Sequence, residues 1–277
     1  MKDNECVQFL QWALPQMHMR WPGFRKVRSQ VCKRIERRMR QMHIDGFPAY
    51  KTYLHQHSQE WLVLNELSRI TISRFYRDKA VFAYLMQQIL PDLAQQVMAR
   101  GDTRLKIWSA GCASGEEPYT VSLMWWLQLH SNFPDIELSV TATDAGDIML
   151  TRAQQACYSF SSIKNLPPPW RELAFRVKNE SYCLKPQFRQ GVQFFQQDIR
   201  AQTPEDRFDL VLCRNLVFTY FDSPLQQRVL ERVQNSVRNG GVLVTGIHEN
   251  LPPGSAAFVA LSERLKIYQK TGNPSCA

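Results

Sequence analysis

The sequence predicts a mostly parallel α/β sheet with helices on both faces, preceded by a small all-helical domain and carrying one small antiparallel β insert. Three observations predict it. After Gly101, short apolar runs alternate with segments long enough for a helix, the pattern of strands joined by helical crossovers. Before about Ile70 the apolar residues recur at helical spacing instead. The strand and helix alternation breaks once, in "SSIKNLPPPWRELAFRVKNESYCLKPQFRQG", where a triple proline precedes two short alternating runs around "KNE".

Along the chain, "VCKRIERRMRQM" places Val31, Ile35, Met39 and Met42 on one helical face and Lys33, Arg34, Arg37, Arg38 and Arg40 on the others. This is an amphipathic helix with a basic exterior. "HIDGFPAYKTYLHQH" follows as a turn and a second helix and "QEWLVLNELSRI" as a third, so residues 1–70 are expected to form one helical domain. "RDKAVFAYLMQQILPDLAQQVMARG" continues as helix, with a kink or break at Pro91, whose nitrogen has no hydrogen to donate. The second domain, 71–277, presents five strands: "LKIWSA", "ELSVTATD", "VQFFQQD", "FDLVLCRN" and "GVLVTG". The antiparallel hairpin falls near 158–191, ahead of the third strand. Sheets of this kind bind ligands at the carboxyl ends of their strands, where the strand order reverses.

Lys and Arg number 34 against 25 acids, a formal net charge of +9, which favours an acidic partner. The basic helix lacks the interleaved aromatics that stack on bases, so nucleic acid is disfavoured. No apolar run reaches the roughly 18 residues of a membrane span, and "MKDNECVQFLQWALPQ" does not read as a signal peptide. The seven cysteines (6, 32, 112, 157, 183, 213 and 276) contain no Cys-x-x-Cys pair. Neither a metal site nor a disulfide framework is expected from them, and a reduced cytoplasmic setting follows.

The first strand runs into "IWSAGCASGEEPYT". A phosphate-binding loop needs Lys and Ser/Thr after its glycines, and the dinucleotide fingerprint needs G-x-G-x-x-G; here Gly111 and Gly115 are followed by Glu116 and Glu117. Two carboxylates repel a phosphate. The turn suits a phosphate-free, cationic nucleoside such as S-adenosylmethionine, whose ammonium an acid can pair, although acids in a first helical turn also favour the helix dipole. Asp144 ends the second strand, where an acid can hold ribose hydroxyls, and Asp198 ends the third, where one can accept the adenine amino group. Turn and cap roles remain open for both. The fourth strand brings Arg214 and Asn215 to the same edge, followed by the aromatics Phe218, Tyr220 and Phe221.

The segments "SRITISRFYRD", "IWSAGCASGEEPYT", "TATDAGDIMLTRAQQACY", "FDLVLCRNLVFTYFD" and "GGVLVTGIHENL" together resemble the chemotaxis receptor glutamate methyltransferases, the CheR family, in order over nearly the whole chain. The resemblance implies a class I methyltransferase domain, Rossmann-like, with S-adenosylmethionine as cofactor, S-adenosylhomocysteine as product and no metal. It carries Thr71, Ser73, Arg77, Glu117, Asp144, Asp198 with its neighbour Ile199, Arg214 and Asn215 onto cofactor positions, and Arg77 and Tyr220 onto catalytic ones. Thr71 and Ser73 stand where Asn and Thr are usual, one extra residue separates Asn215 from "YFD", and "GIHE" replaces "GHSE".

The function so implied is methyl transfer to glutamate side chains of a chemotaxis-type receptor. Arg34, Arg37, Arg38 and Arg40 would dock its acidic cytoplasmic helical region, or another acidic protein. A monomer without membrane insertion is expected. Two alternatives stand beside this: a methyltransferase of the same fold acting on a small molecule or a non-receptor protein, and a non-catalytic module binding S-adenosylmethionine or S-adenosylhomocysteine.

Overall fold

The computed structural model describes residues 3–272, and every count below refers to them. The chain forms two compact units, one built from the chain up to Ile70 with Val217–Gln226, the other from Thr71–Leu216 and the chain from Gln227 onward.

The first unit is helical: α1 (Asp3–Gln16), α2 (Trp21–Phe24), α3 (Arg28–Gln41), α4 (Gly46–Gln56) and α5 (Ser58–Ser68). In α3 the residues Val31, Cys32, Ile35 and Met39 are buried, and they join Phe9, Leu10, Leu14, Phe47 and Tyr50 in one apolar core. Lys33, Arg37 and Arg40 stay exposed. Two further basic residues of this helix are committed within the unit: Arg34 donates to the carbonyls of Leu67 and Arg69, and Arg38 pairs in two places with the buried Glu60, at 3.0 and 2.7 Å. Of the four arginines expected to dock an acidic partner, Arg34 and Arg38 are thus engaged inside the unit, while Arg37 and Arg40 stay exposed.

Glu60 also accepts a hydrogen bond from the Tyr50 hydroxyl at 2.8 Å. Burial raises the pKa of Glu60, but the bonds from Arg38 and Tyr50 outweigh it and hold the carboxyl below its ordinary value. Because the folded pKa is depressed, this contribution to stability is present above the unfolded carboxyl pKa and is lost as pH falls through the folded one. Replacing Arg38 with Ala leaves a buried carboxylate without its cation. We expect the variant to lose about 2–3 kcal/mol of stability, read from its urea midpoint near pH 7.

The second unit begins with α6 (Lys79–Tyr84), which widens through a π turn at Leu85–Ile89 into α7 (Leu90–Ala99). The helix is not broken at Pro91, because the wider turn accommodates a residue that cannot donate. Then come β1 (Arg104–Ala110), α8 (Glu116–Met124), β2 (Glu137–Asp144) and α9 (Asp147–Gln155). The insert holds β3 (Cys157–Tyr158), α10 (Phe160–Ile163), α11 (Pro168–Ala174), β4 (Phe175–Lys178) and β5 (Ser181–Leu184). The chain continues through β6 (Val192–Gln196), β7 (Phe208–Leu212), α12 (Val217–Tyr220), α13 (Ser223–Ser236), β8 (Val237–Val244), β9 (Phe258–Ser262) and β10 (Ile267–Lys270).

Seven of these strands form one sheet in the order β6-β2-β1-β7-β8-β10-β9. The five strands expected from the sequence are β6, β2, β1, β7 and β8, and their four pairings are all parallel. All five residues of β7 are buried, as a central strand covered on both faces requires. The antiparallel β9 and β10 extend the edge and were not expected. Their runs are short, and β9 leaves Val259 and Leu261 exposed, so no continuous apolar stretch announces them.

The insert is a three-stranded antiparallel sheet, β3-β5-β4. Its β4/β5 hairpin turns at Asn179 and Glu180, with φ of 46° and 62°, the left-handed pair that a tight two-residue turn demands. The register sets Cys157 opposite Cys183, and the two are joined as a disulfide. A second bridge, Cys6–Cys32, ties α1 to α3. The expectation of no disulfide framework is thus corrected. Each pair lies 26 residues apart in sequence, and only helix packing and strand register bring its members together. The inference of a reduced setting from cysteine spacing loses its premise.

Candidate active site

Strand β1 lies between β2 and β7, so the strand order reverses there and a crevice opens beyond its carboxyl end. The turn that follows β1 is fixed by its backbone. Gly111, Ala113 and Gly115 have φ of 74°, 47° and 89°, and the amides of Gly111 and Cys112 both donate to the Thr143 carbonyl at the end of β2. A Cβ on Gly115 would stand 3.0 Å from the Ala153 Cβ, and one on Gly111 2.5 Å from Leu216 Cδ2. The left-handed backbone strains any side chain at both positions, and at Gly115 the space is tight as well.

The two glutamates after this turn have different surroundings. Glu116 is buried, and its carboxylate accepts hydrogen bonds from the hydroxyls of Ser114 and Ser162, at 2.9 and 2.8 Å. Ser162 belongs to the insert, and its carbonyl accepts the Phe75 amide. Tyr158 adds a second tie by donating from its hydroxyl to the Ser114 carbonyl at 2.9 Å. Burial first, then the charge of Glu116, raises the phenol pKa, so Tyr158 remains a donor. Glu116 thus clamps the insert and the segment before α6 to the turn.

Glu117 instead faces the fourth strand's edge. Its Oε1 accepts from Ser109 Oγ at 2.8 Å and its Oε2 from Arg214 Nη1 at 3.0 Å. Arg214 also donates from Nη2 to Asp78 Oδ2 at 2.7 Å and to the Arg77 carbonyl at 3.3 Å, and its guanidinium lies over the Phe82 ring. The Arg214 side chain is only 2% exposed. It serves as a strut between Glu117 and Asp78. Within the turn, burial and then the charges of Asp144 and Glu117 raise the Cys112 thiol well above its usual pKa, which leaves it neutral and unreactive.

Asp144 accepts the amides of Ala113 and Gly146, at 2.9 and 2.8 Å, so it stitches the end of β2 to the glycine turn. Asp198 accepts the Arg200 amide at 2.9 Å and pairs with the Arg200 guanidinium at 2.6 Å; the neighbouring Ile199 is buried. Asn215 takes a left-handed conformation, φ 55°, and donates its amide to Glu249 Oε2 at 2.8 Å. The same oxygen accepts the Gly246 amide at 2.6 Å, fixing the ends of β7 and β8 to each other.

Thr71, Ser73 and Arg77 lie on the irregular segment that leads into α6. Arg77 is half-buried, and its Nη1 donates to the Ile72 carbonyl at 3.1 Å, closing that segment into a loop. Tyr220 belongs to the helical unit. Its ring packs edge-on against Phe24, with centroids 5.1 Å apart, and its carbonyl accepts the Arg20 amide. Among the sequence candidates, Glu117, Arg214 and Arg77 are joined directly through hydrogen bonds, and Asp144 is bonded to the glycine turn that precedes Glu117. Asp78, Glu249 and Ser109 were missed. Asp78 follows the arginine of "RFYRD", and Glu249 follows the His248 of "GIHE", which is itself exposed.

The donor set fits S-adenosylmethionine. Acids end or follow three adjacent strands, and the turn holds no basic side chain to receive a phosphate. Among the described residues no group of three or more His, Cys, Asp or Glu side chains could hold a metal ion. The family model described as "CheR methyltransferase, SAM binding domain" matches residues 71–266. "Chemotaxis protein methyltransferase" of Listeria innocua serovar 6a is 33% identical over 193 residues, covering 69% of this chain and 70% of that relative. "Probable chemotaxis protein methyltransferase" of Rhizobium etli is 28% identical over 250 residues, 88% of this chain and 91% of the relative. "Uncharacterized 104.1 kDa protein in hypE 3'region" of Rhodobacter capsulatus is 32% identical over 241 residues, 86% of this chain and 25% of the relative, so the chain spans a quarter of that protein's length. This chain belongs to the CheR family of methyltransferases, and S-adenosylmethionine is its cofactor.

Proposed function

We propose that the protein transfers the methyl group of S-adenosylmethionine to glutamate carboxylates in an acidic, helical, cytoplasmic region of a chemotaxis-type receptor. The observation that carries this reading is Arg77, a half-buried guanidinium held at the Ile72 carbonyl and bonded by its own backbone to Arg214, which in turn grips Glu117. The family names of the relatives support the receptor as the source of the acceptor. Bound in this site, the cofactor supplies an electrophilic methyl group on a sulfonium. Glu117 pairs its ammonium, Asp144 holds the ribose hydroxyls, and Asp198 and Ile199 receive the adenine. Thr71 and Ser73 provide hydroxyls, and Asn215 lines the edge of β7.

A glutamate side chain has a pKa of about 4.3 and is ionised near pH 7, so the acceptor needs no general base. What it needs is orientation. Arg77, a planar donor matched to a carboxylate, performs that task. Tyr220 keeps a second acceptor-side role on the strength of the family resemblance. Arg37 and Arg40 steer the acidic partner toward α3, which makes the encounter sensitive to salt.

The test uses methyl-labelled S-adenosylmethionine with receptor-bearing membranes in one arm and a membrane-free cell extract in the other, followed by alkali. Carboxyl methyl esters release volatile labelled methanol, and N-methyl products do not. Base-labile label confined to the membrane arm is the expected result. Label in the extract alone transfers the activity to a non-receptor or small-molecule acceptor, and cofactor binding without label in either arm leaves only a binding module.

A further inference from the structure

Asp78 takes no part in the mechanism above, yet it is built into the site. It adopts a left-handed conformation, φ 62° and ψ 62°, which is uncommon outside glycine. Its Oδ2 accepts Arg214 Nη2 at 2.7 Å, while Arg214 Nη1 reaches Glu117 Oε2 at 3.0 Å. The side chains of Asp78, Arg214 and Glu117 are 21%, 2% and 16% exposed, so their charges are only partly screened by water. Two carboxylates share one guanidinium, and the triad carries one formal negative charge. Arg77, bonded to the Ile72 carbonyl, is the adjoining cation.

We propose that Asp78 sets the selectivity of the site for the sulfonium cofactor over its thioether product. S-adenosylmethionine bears an ammonium, a carboxylate and a sulfonium, a net charge of one positive unit. S-adenosylhomocysteine lacks the sulfonium and is neutral overall. Removing one negative charge beside the site changes the field at the sulfur by the same amount whatever other charges are present, and only the cofactor carries a charge there to feel it. Without Asp78 the triad is neutral, the cofactor loses attraction, and the product does not. Asp78 thereby favours exchange of product for fresh cofactor after each turnover. The inference rests on the proposal that Glu117 pairs the ammonium group, which both ligands possess.

The test is calorimetric titration of the full chain with each ligand. Asp78→Asn is close to isosteric and keeps an oxygen for Arg214 while removing the charge. It should raise the Kd of S-adenosylmethionine by about tenfold and that of S-adenosylhomocysteine by less than about twofold. Asp78→Glu, which keeps the charge, should retain the wild-type ratio of the two affinities. Glu117→Gln separates the two readings through the product, because it weakens S-adenosylhomocysteine as well as S-adenosylmethionine if Glu117 pairs the ammonium and leaves S-adenosylhomocysteine unchanged if it does not. An Asp78→Asn protein in which the two affinities move together, or neither moves, overturns the assignment. A third ligand frees the test from any variant's folding: an analogue with a protonated amine in place of the sulfonium must bind the wild-type protein more tightly than S-adenosylhomocysteine does. Equal or weaker binding of that amine overturns the proposal as well.

Discussion

Glu117→Gln is expected to weaken binding of both ligands, S-adenosylhomocysteine by about a hundredfold, the equivalent of about 2.7 kcal/mol, and S-adenosylmethionine by more, because its sulfonium also feels the lost charge. Two losses add to this. The amide cannot form the charge-assisted bond with the ligand's ammonium, and such bonds contribute roughly 1.5–3 kcal/mol. In addition, both carboxylate oxygens already accept hydrogen bonds, from Ser109 and from Arg214. An amide has one oxygen and one NH2, so one of these donors comes to face another donor. Because Arg214 is buried, the mismatch is not relieved by water. The neighbouring carboxylate supplies the contrast. The Glu116 carboxylate accepts from the Ser114 and Ser162 hydroxyls, so Glu116→Gln should act on stability and on the insert's attachment more than on ligand affinity. Calorimetric titration with either ligand decides the matter, and a Glu117→Gln protein of unchanged affinity would remove Glu117 from the ammonium position.

That contrast marks the limit of what the sequence could say about this turn. The phosphate-excluding charge of Glu116 and Glu117 was legible, as were acids at the ends of β2 and β6, since strand ends and glycines are local signals. The family resemblance singled out Glu117, but the residue pattern by itself did not divide the labour between the two glutamates. Adjacent helical residues point about 100° apart, and which one meets the crevice depends on where the insert packs. Distance in sequence hid Asp78 in the same way, because its partner Arg214 lies 136 residues away. The basic helix gives a third case. The five cations of "VCKRIERRMRQM" look equivalent in sequence, but Arg38 finds the buried Glu60 and Arg34 the end of α5, leaving a smaller exposed set. In the fold, the buried parallel strands were readable as apolar runs, whereas the edge pair β9 and β10 is half solvated and short.

Arg77→Ala should lower kcat by about 10²- to 10³-fold while changing the Kd of S-adenosylmethionine by less than about threefold. The separation follows from what each group touches. Glu117 and Asp144 are fastened to the glycine turn and remain in place without Arg77, so the cofactor's main contacts persist. The acceptor carboxylate, in contrast, loses the group that would hold its oxygen in line with the methyl carbon and sulfur. Methyl transfer between an anion and a sulfonium has little proton chemistry to assist it, so orientation supplies most of the acceleration available. Arg77→Lys should recover only part of the rate, since an ammonium restores the charge but not the two parallel donors of a guanidinium. The bond from Arg77 to the Ile72 carbonyl also shapes the loop that carries Thr71 and Ser73. A purely structural role would therefore show as a matching loss of cofactor affinity in both variants, with kcat at saturating cofactor restored to the wild-type value. Single-turnover rates measured beside calorimetric Kd values distinguish the two outcomes. A loss confined to binding refutes Arg77 as the residue that orients the acceptor.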